Sequence, residues 1–326
     1  MKFGGVPVGE AEGTILAHSI ALGKSRLRKG HHLSADDLQA LAAAGHEMIT
    51  VARLGPDDLD EDQAAATLAE ALAQPDLRHS NAATGRVNLF ATGPGVAVID
   101  RAAIDQFNAV NPMITVATVP PFHRVEDGAM IATVKVISYG VPQIDVAKAC
   151  AAGKGALGLL PPRYQTATLI ETRTDKTPSS KGRAALRGRL DRLGVALDDR
   201  VVVAHKTDAL SEAIRAATGQ VIFVLTASAT SDPCDVGPEA LRRAGGTVTQ
   251  FGIPVDPGNL LFLGALGERP VIGLPGCARS PALNGADWVL ERVICGLDLG
   301  PTDFAAMGVG GLLKEIPTRP KPRGDI

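Results

Sequence analysis

Aromatic side chains are scarce, at 3% of the 326 residues. Single-stranded nucleic acid is held largely by stacking its bases on such rings, so the chain offers no stacking surface for it. A surplus of one charge is also lacking. Thirty-three Lys and Arg face 35 Asp and Glu, for a formal charge of −2, which gives no general attraction to DNA, RNA or an anionic membrane. No uninterrupted apolar run reaches the roughly 20 residues of a membrane span. The opening Met1-Lys-Phe-Gly-Gly-Val-Pro7 has no long apolar core of the signal-peptide kind. Cysteine is limited to Cys150, Cys234, Cys277 and Cys295. No two are spaced Cys-x-x-Cys and no histidine cluster accompanies them, which argues against a zinc site or a disulfide framework. The expected setting is cytoplasmic with reduced thiols, with neither nucleic acid nor membrane as partner.

What is present is ordinary for a globular chain: 45% hydrophobic and 21% charged residues. The length allows two domains. Residues 1–80 read as a strand and helix region. Ser34 is placed to cap a helix over 35–44, with Asp36 and Asp37 in its first turn and Gly45 as its stop. A strand over 48–54 and an alanine-rich helix over 61–73 follow. Residues 81–155 read as an α+β block, with strands at 87–91, 96–99, 114–119 and 130–137 and helices at 101–110 and 145–152. Residues 153–165, broken by Gly, Lys and Pro161-Pro162, read as a linker.

From 166 to 300 strands and helices alternate. Strands are expected at 167–171, 200–204, 221–226, 247–252 and 270–274, and helices at 181–193, 209–217, 237–244 and 281–295. That alternation predicts a doubly wound, mostly parallel sheet. The fold class is thus α/β, with this C-terminal sheet behind an N-terminal α+β region. Residues 301–326 read as a tail that is proline-rich and basic at 317–323.

Open parallel sheets bind ligands beyond the carboxyl ends of their strands. Two such ends carry chemistry. In Val221-Ile-Phe-Val-Leu-Thr-Ala-Ser-Ala-Thr-Ser-Asp-Pro-Cys-Asp235, a buried strand runs into small hydroxyl residues and two carboxylates. Thr226, Ser228, Thr230 and Ser231 suit phosphate oxygens or polar ring edges. Asp232 and Asp235 suit Mg²⁺, a hard cation that takes oxygen ligands. The plainer reading is a turn that caps the next helix. In Val271-Ile-Gly-Leu-Pro-Gly-Cys-Ala-Arg-Ser280, a strand breaks at Pro275-Gly276 and a helix is expected to restart at Ser280-Pro281, with Arg279 beside its positive end. A third turn, Val255-Asp-Pro-Gly-Asn259, lies between them.

Taken in order, these segments resemble the molybdopterin-binding domains of the molybdenum-cofactor biosynthesis family. Thr226 to Asp235, including Ala227, resembles that family's Ser-Gly-Gly-x-Ser-x-Gly-x-x-Asp loop, with Asp235 on its metal-linked and catalytic Asp. Pro257-Gly258-Asn259 resembles its Pro-Gly-Lys turn, and Leu274-Pro275-Gly276 matches its Leu-Pro-Gly. Gly13-Thr-Ile-Leu-Ala-His-Ser-Ile20, Lys29 to Gly45 and Ile49-Thr-Val51 resemble the N-terminal part of the molybdotransferase type. The departures are specific. The paired glycines are Ala227-Ser228, the lysine is Asn259, and the Asn-Pro after Leu-Pro-Gly is Cys277-Ala278.

The resemblance implies a pterin phosphate ligand, molybdopterin or the molybdenum cofactor, with Mg²⁺, used in cofactor biosynthesis, metal insertion or delivery. It further implies a homodimer and a molybdoenzyme client. It places the cofactor contacts on Thr226, Ala227, Ser228, Thr230, Ser231, Gly258, Asn259, Pro275, Gly276, Cys277, Arg279 and Ser280, and the metal on Asp232 and Asp235. Two alternatives stand beside it: a non-catalytic carrier, chaperone or sensor, favoured by Ala227-Ser228 and Asn259, and a nucleotide-phosphate enzyme of another pathway on the same scaffold.

Cys277, at an expected helix start beside Arg279, is a candidate thiolate for a soft metal. The alternative is a small packed side chain. His31 and His32 lie in a basic segment with Lys24, Arg26, Arg28 and Lys29, and read chiefly as a solvated loop. His123, Arg124, Arg86 and Asn88 are isolated polar candidates with no motif behind them. Trp288 reads as a core or interface residue.

Overall fold

Ser34 turns an extended segment into a helix. Its hydroxyl accepts from the Asp37 amide at 3.3 Å, while the Asp37 carboxylate accepts from the Ser34 amide at 2.9 Å. This reciprocal cap satisfies amides that a helix start leaves open. In the computed structural model, which describes residues 1–313, strands β1 (Lys2–Pro7), β2 (Ile15–Leu16), β3 (Ile20–Leu22) and β4 (Ser25–Leu27) precede the capped helix α1 (Ala35–Ala43), and β5 (Met48–Arg53) follows it. β5 lies antiparallel between β1 and β2, and β3 and β4 form a hairpin. Leu16, Leu41 and Val51 anchor a small core there.

The chain continues through β6 (Asp58–Asp60), α2 (Glu61–Leu72), β7 (Leu77–His79), β8 (Arg86–Ala91), β9 (Gly95–Ile99), α3 (Arg101–Val110), β10 (Ile114–Thr118), β11 (Arg124–Val125), β12 (Met130–Val136), β13 (Gly140–Pro142), α4 (Gln143–Ala152) and β14 (Leu157–Leu160). An antiparallel sheet in the order β10-β12-β8-β7 is built from this stretch. Asp60 caps α2 by accepting from the amides of Asp62 and Gln63. Helix α2 then buries Ala64, Ala65, Leu68, Ala69 and Leu72, one helical stripe. The stripe shares a core with Val87, Leu89, Phe107 and Val134.

The stretch 153–165, expected as a linker, contains a strand, and the division between the two units falls within it, between Leu159 and Leu160. Gly153 ends α4, and the short apolar run behind it forms β14, whose Leu157 is fully buried and accepts from the Gln74 amide. The breakers flank a strand.

The chain divides into two units. The first comprises Met1–Gly93 and Ala97–Leu159; the second takes Pro94–Val96 and the chain from Leu160 onward. The second unit contains β15 (Thr166–Arg173), α5 (Lys181–Asp191), β16 (Ala196–Leu197), β17 (Val201–Ala204), α6 (Thr207–Ala216), β18 (Val221–Leu225), α7 (Val236–Arg243), β19 (Thr247–Phe251), β20 (Phe262–Leu266), β21 (Arg269–Gly273), α8 (Gly285–Ile294) and α9 (Pro301–Ala306). Its sheet runs β16-β15-β18-β21-β20-β19, with β17 also on β15. The strands from β15 to β18, and β21, pair in parallel, whereas β20 and β19 join antiparallel. The architecture is mixed α/β with a mostly parallel sheet.

β18 is central and buried along all five residues, so it reads as an unbroken apolar run. β20 has no counterpart among the sequence-predicted strands. Its Phe262-Leu-Gly-Ala-Leu266 lies close behind the Pro257 turn, and Gly267 folds it straight back into β21. Residues 301–306, expected as tail, form a short helix that buries Phe304. The basic stretch at 317–323 lies outside the described residues.

Candidate functional site

Three turns at the carboxyl edge of the parallel strands carry the residues singled out above. The first follows β18. Thr226 and Thr230 are buried. The Thr226 hydroxyl donates to the Ser228 carbonyl at 2.6 Å and lies 3.2 Å from that of Thr230. The Ala227 amide donates to Thr172 Oγ1 at 2.7 Å. Asp235 caps α7: its carboxylate accepts from Ser231 N at 3.1 Å and Val236 N at 2.7 Å. Asp232 accepts from Cys234 N at 2.7 Å. The loop therefore satisfies most of its own polar groups. Among the described residues, the exposed hydroxyls of Ser228 and Ser231 have no protein partner. Among the described residues, no group of three or more His, Cys, Asp or Glu is arranged to hold a metal ion.

The second turn follows β21 and differs from expectation. The residues after Pro275 form one 3₁₀ turn, Gly276–Arg279, and α8 starts only at Gly285. Asn284 wins over Ser280 as the cap. Its side chain accepts from Ala286 N at 3.0 Å, while the Asp287 carboxylate accepts from Asn284 N at 2.8 Å. Ser280 instead holds its own bend, accepting from Ala282 N at 3.2 Å.

Cys277 consequently stands at no α-helix N-terminus. Burial pushes its thiol up, opposed by its own backbone hydrogen bond and Arg189, with smaller raising contributions from Asp256 and Asp287. Of the two readings offered for Cys277, its half-buried position favours the small packed side chain over the thiolate. Arg279 does not stand free at an anion site either. It spans the two turns, its Nη2 donating to the Thr226 carbonyl at 2.9 Å.

The third turn packs on the start of α8. Asp256-Pro257 is a cis peptide, and Gly258 has φ +130°. A Cβ at Gly258 would stand 2.4 Å from the Gly285 amide nitrogen, and that amide donates to the Pro257 carbonyl at 2.8 Å. The Asn259 carbonyl accepts from Ile253 N at 3.0 Å.

Arg189 is the residue that sequence reasoning overlooked. It is 5% exposed and reaches from α5 to the second turn. Its guanidinium pairs with Asp287 at 2.6 Å and donates to the carbonyls of Ala278 at 3.0 Å, Ser280 at 2.9 Å and Ala282 at 3.3 Å. The signal lay in the helix rhythm: Ala185, Leu186, Arg189 and Leu190 fall on one buried face, so an arginine among them had to find partners inside.

The end of β15 adds a second group. Thr172 is fully buried, and its hydroxyl, besides accepting from Ala227, lies 2.9 Å from His205 Nδ1. Glu171, 1% exposed, accepts from Arg200 Nε at 2.8 Å, and its Oε1 has no partner among the described residues. Arg200 also donates to the Pro178 carbonyl at 2.6 Å, which ties the loop after β15. Helices α7 and α8 are capped by their own side chains, whereas α5 and α6 begin without side-chain caps and with Lys181 and Lys206 at their starts. Open amides with nearby ammonium groups favour an anion in that direction.

The remaining candidates lie in the first unit. His31 Nε2 is 2.8 Å from Asp37, and His32 is exposed. Arg86 donates to Thr133 Oγ1 at 3.2 Å, and Asn88 Oδ1 is buried with no partner among the described residues. Burial, with Arg124 alongside, holds the His123 imidazole below its usual range. Trp288, in the second unit, is half-buried on α8. All four cysteines are free. Among the described residues no helix is long and apolar enough to cross a membrane.

Residues 5–53 match the family model of a domain of unknown function, DUF8806. No curated protein matches the chain. The crystal structure of a molybdopterin biosynthesis MoeA protein from Pyrococcus horikosii aligns over 84% of this chain and 70% of its own, at 14% identity. Its TM-score of 0.27 is too low for the likeness to carry weight.

Proposed function

We propose that the carboxyl edge of the mostly parallel sheet binds a pterin phosphate, molybdopterin or the molybdenum cofactor built on it, during cofactor synthesis, metal insertion or delivery. One observation carries the reading: the three motif-bearing turns are linked at one edge. Arg279 joins the first to the second, and the Gly285 amide joins the third to α8, which follows the second. Ser228 and Ser231 offer hydroxyls for phosphate or ring edges, and Lys181 and Lys206 supply positive charge beside the open starts of α5 and α6. Mg²⁺ usually takes one or two carboxylates together with the oxygens of a bound phosphate. Asp232 fits that role best, because both oxygens of Asp235 already accept from backbone amides.

The same accounting favours binding without turnover as the second reading. A loop whose threonines and capping aspartate bond to each other and to the backbone is preorganised to hold a ligand, and leaves few groups free to move protons. A carrier that passes the cofactor to a molybdoenzyme fits this, and so does a homodimer of such carriers.

The test is equilibrium binding of purified molybdopterin, with and without molybdate, to the full chain and to Ser228→Glu, with Mg·ATP turnover measured in parallel. Micromolar or tighter binding, weakened about tenfold or more by the added carboxylate, supports the reading. Absence of binding to either form sinks it. ATP turnover without pterin binding would point to a nucleotide-phosphate enzyme instead.

A further inference from the structure

The opposite edge of the same sheet, at the amino ends of its strands, holds an open cleft of about 550 Å³. One wall is apolar and made of short side chains. Leu197 ends β16, Val201 starts β17, and Ala213, Ala216 and Ala217 come from the last turn of α6 and the residue after it. The other wall is Thr168 of β15, Asp198 and Asp199 between β16 and β17, and Thr218 after α6.

Asp198 is held in place. Its Oδ2 accepts from Thr168 Oγ1 at 2.5 Å and from Thr218 Oγ1 at 3.0 Å, and its amide donates to the Ala167 carbonyl at 2.9 Å. Thr168, 2% exposed, is itself fixed by the Gly219 amide at 2.9 Å. Asp198 Oδ1 accepts no hydrogen bond, and Asp199 has neither a hydrogen bond nor an ion pair among the described residues. Helix α6 ends here, so its carbonyls bring the negative end of the helix dipole to the same place. No Lys, Arg or His lines the cleft. Two guanidiniums come near without lining it: Arg183 reaches the Asp198 backbone carbonyl from α5, and Arg269 reaches the Ala217 carbonyl at the end of α6, so the spare carboxylate oxygens of Asp198 and Asp199 carry the negative charge of the site.

We propose that this cleft binds a small organic cation, a primary ammonium or amidinium on a short apolar stem. The charged head meets the spare oxygen of Asp198 and the carboxylate of Asp199. The stem lies along the alanine methyls and Val201. A bare metal ion suits the place less well, because half of its wall is hydrocarbon and offers no oxygen ligand. The site is separate from the pterin edge and stands whether or not that reading does.

Calorimetric titration of the full chain with n-butylammonium tests it, with 1-butanol and butyrate as controls of similar size. A saturable millimolar Kd is expected for so small a ligand, with neither control competing. Asp199→Asn, an exposed change, weakens binding about fivefold or more. Ala213→Leu, which crowds the alanine wall where the stem would lie, weakens it about fivefold or more while far-UV circular dichroism stays unchanged. Lack of saturable binding, equal response to butanol, or unaltered affinity in both folded variants overturns the proposal.

Discussion

Cys234 and Cys277 sit on two turns of one sheet edge in different surroundings. Cys234 is exposed, while Cys277 is half-buried with its thiol pushed up by burial. Only the thiolate reacts with iodoacetamide. At neutral pH Cys234 should be alkylated first and Cys277 about tenfold more slowly or less, with the Cys277 rate climbing as pH rises past the ordinary thiol range. Peptide mass mapping reads both, and equal rates at pH 7 would restore the thiolate. Asp37 responds in the opposite direction. Ser34 backbone and hydroxyl bonds, then His31, hold its carboxyl down to about 2, against 3.8 unperturbed. A depressed carboxylate stabilises the fold above its unfolded value and loses that contribution as pH falls through its folded value. Asp37→Asn should cost about 1 kcal/mol at pH 7, the size of a helix cap. The difference from wild type in urea unfolding should shrink as pH drops from 3.8 toward 2, and a pH-independent gap would contradict the assignment.

Two glycines of the candidate turns separate cleanly at the scale of the element. Gly258 holds φ +130° against the start of α8, whereas Gly276 keeps an ordinary φ with nothing within 4 Å of where its Cβ would stand. Gly258→Ala should cost about 2 kcal/mol or more and Gly276→Ala less than about 0.5 kcal/mol, measured by urea unfolding. Equal costs would mean that the turns are misplaced. The contrast also shows which parts of the fold were legible. Ser34 and the alanine-rich run behind Asp60 announce α1 and α2 through contacts a few residues apart, and both helices fall close to where they were predicted. The start of α8 was misjudged because Ser280-Pro281 and Asn284 to Asp287 are equally good local start signals. Arg189, about 90 residues earlier, settles the matter by occupying the carbonyls of Ala278, Ser280 and Ala282. β20 was hidden because its apolar run abuts a turn on each side. The candidate loops were visible as polar segments behind buried strands. Their internal bonds were not, since whether Thr226 faces a ligand or Thr230 depends on loop geometry that no local pattern encodes.

At the scale of the whole molecule, two cores among the described residues each draw on one unit. Phe107 belongs to the core of α2, α3, α4 and the antiparallel sheet, and Phe262 to that of the parallel sheet. Two calorimetric transitions are expected, with Phe107→Ala lowering one and Phe262→Ala the other, each by the roughly 3–5 kcal/mol of an emptied aromatic site. A single transition moved by both would show that the units unfold together. The Arg189 clamp carries a consequence for the order of events along the folding path. Its bonds to the second turn join residues 89 to 98 positions apart, and loop closure over that span precedes any reward from the contact. The segment bearing Gly276 and Cys277 thus stays unanchored until α5 has docked. A ribosome-bound chain stalled before residue 276 would hold a finished α5 with its guanidinium still waiting, and the edge proposed to bind the pterin would be the last part of the sheet to take shape.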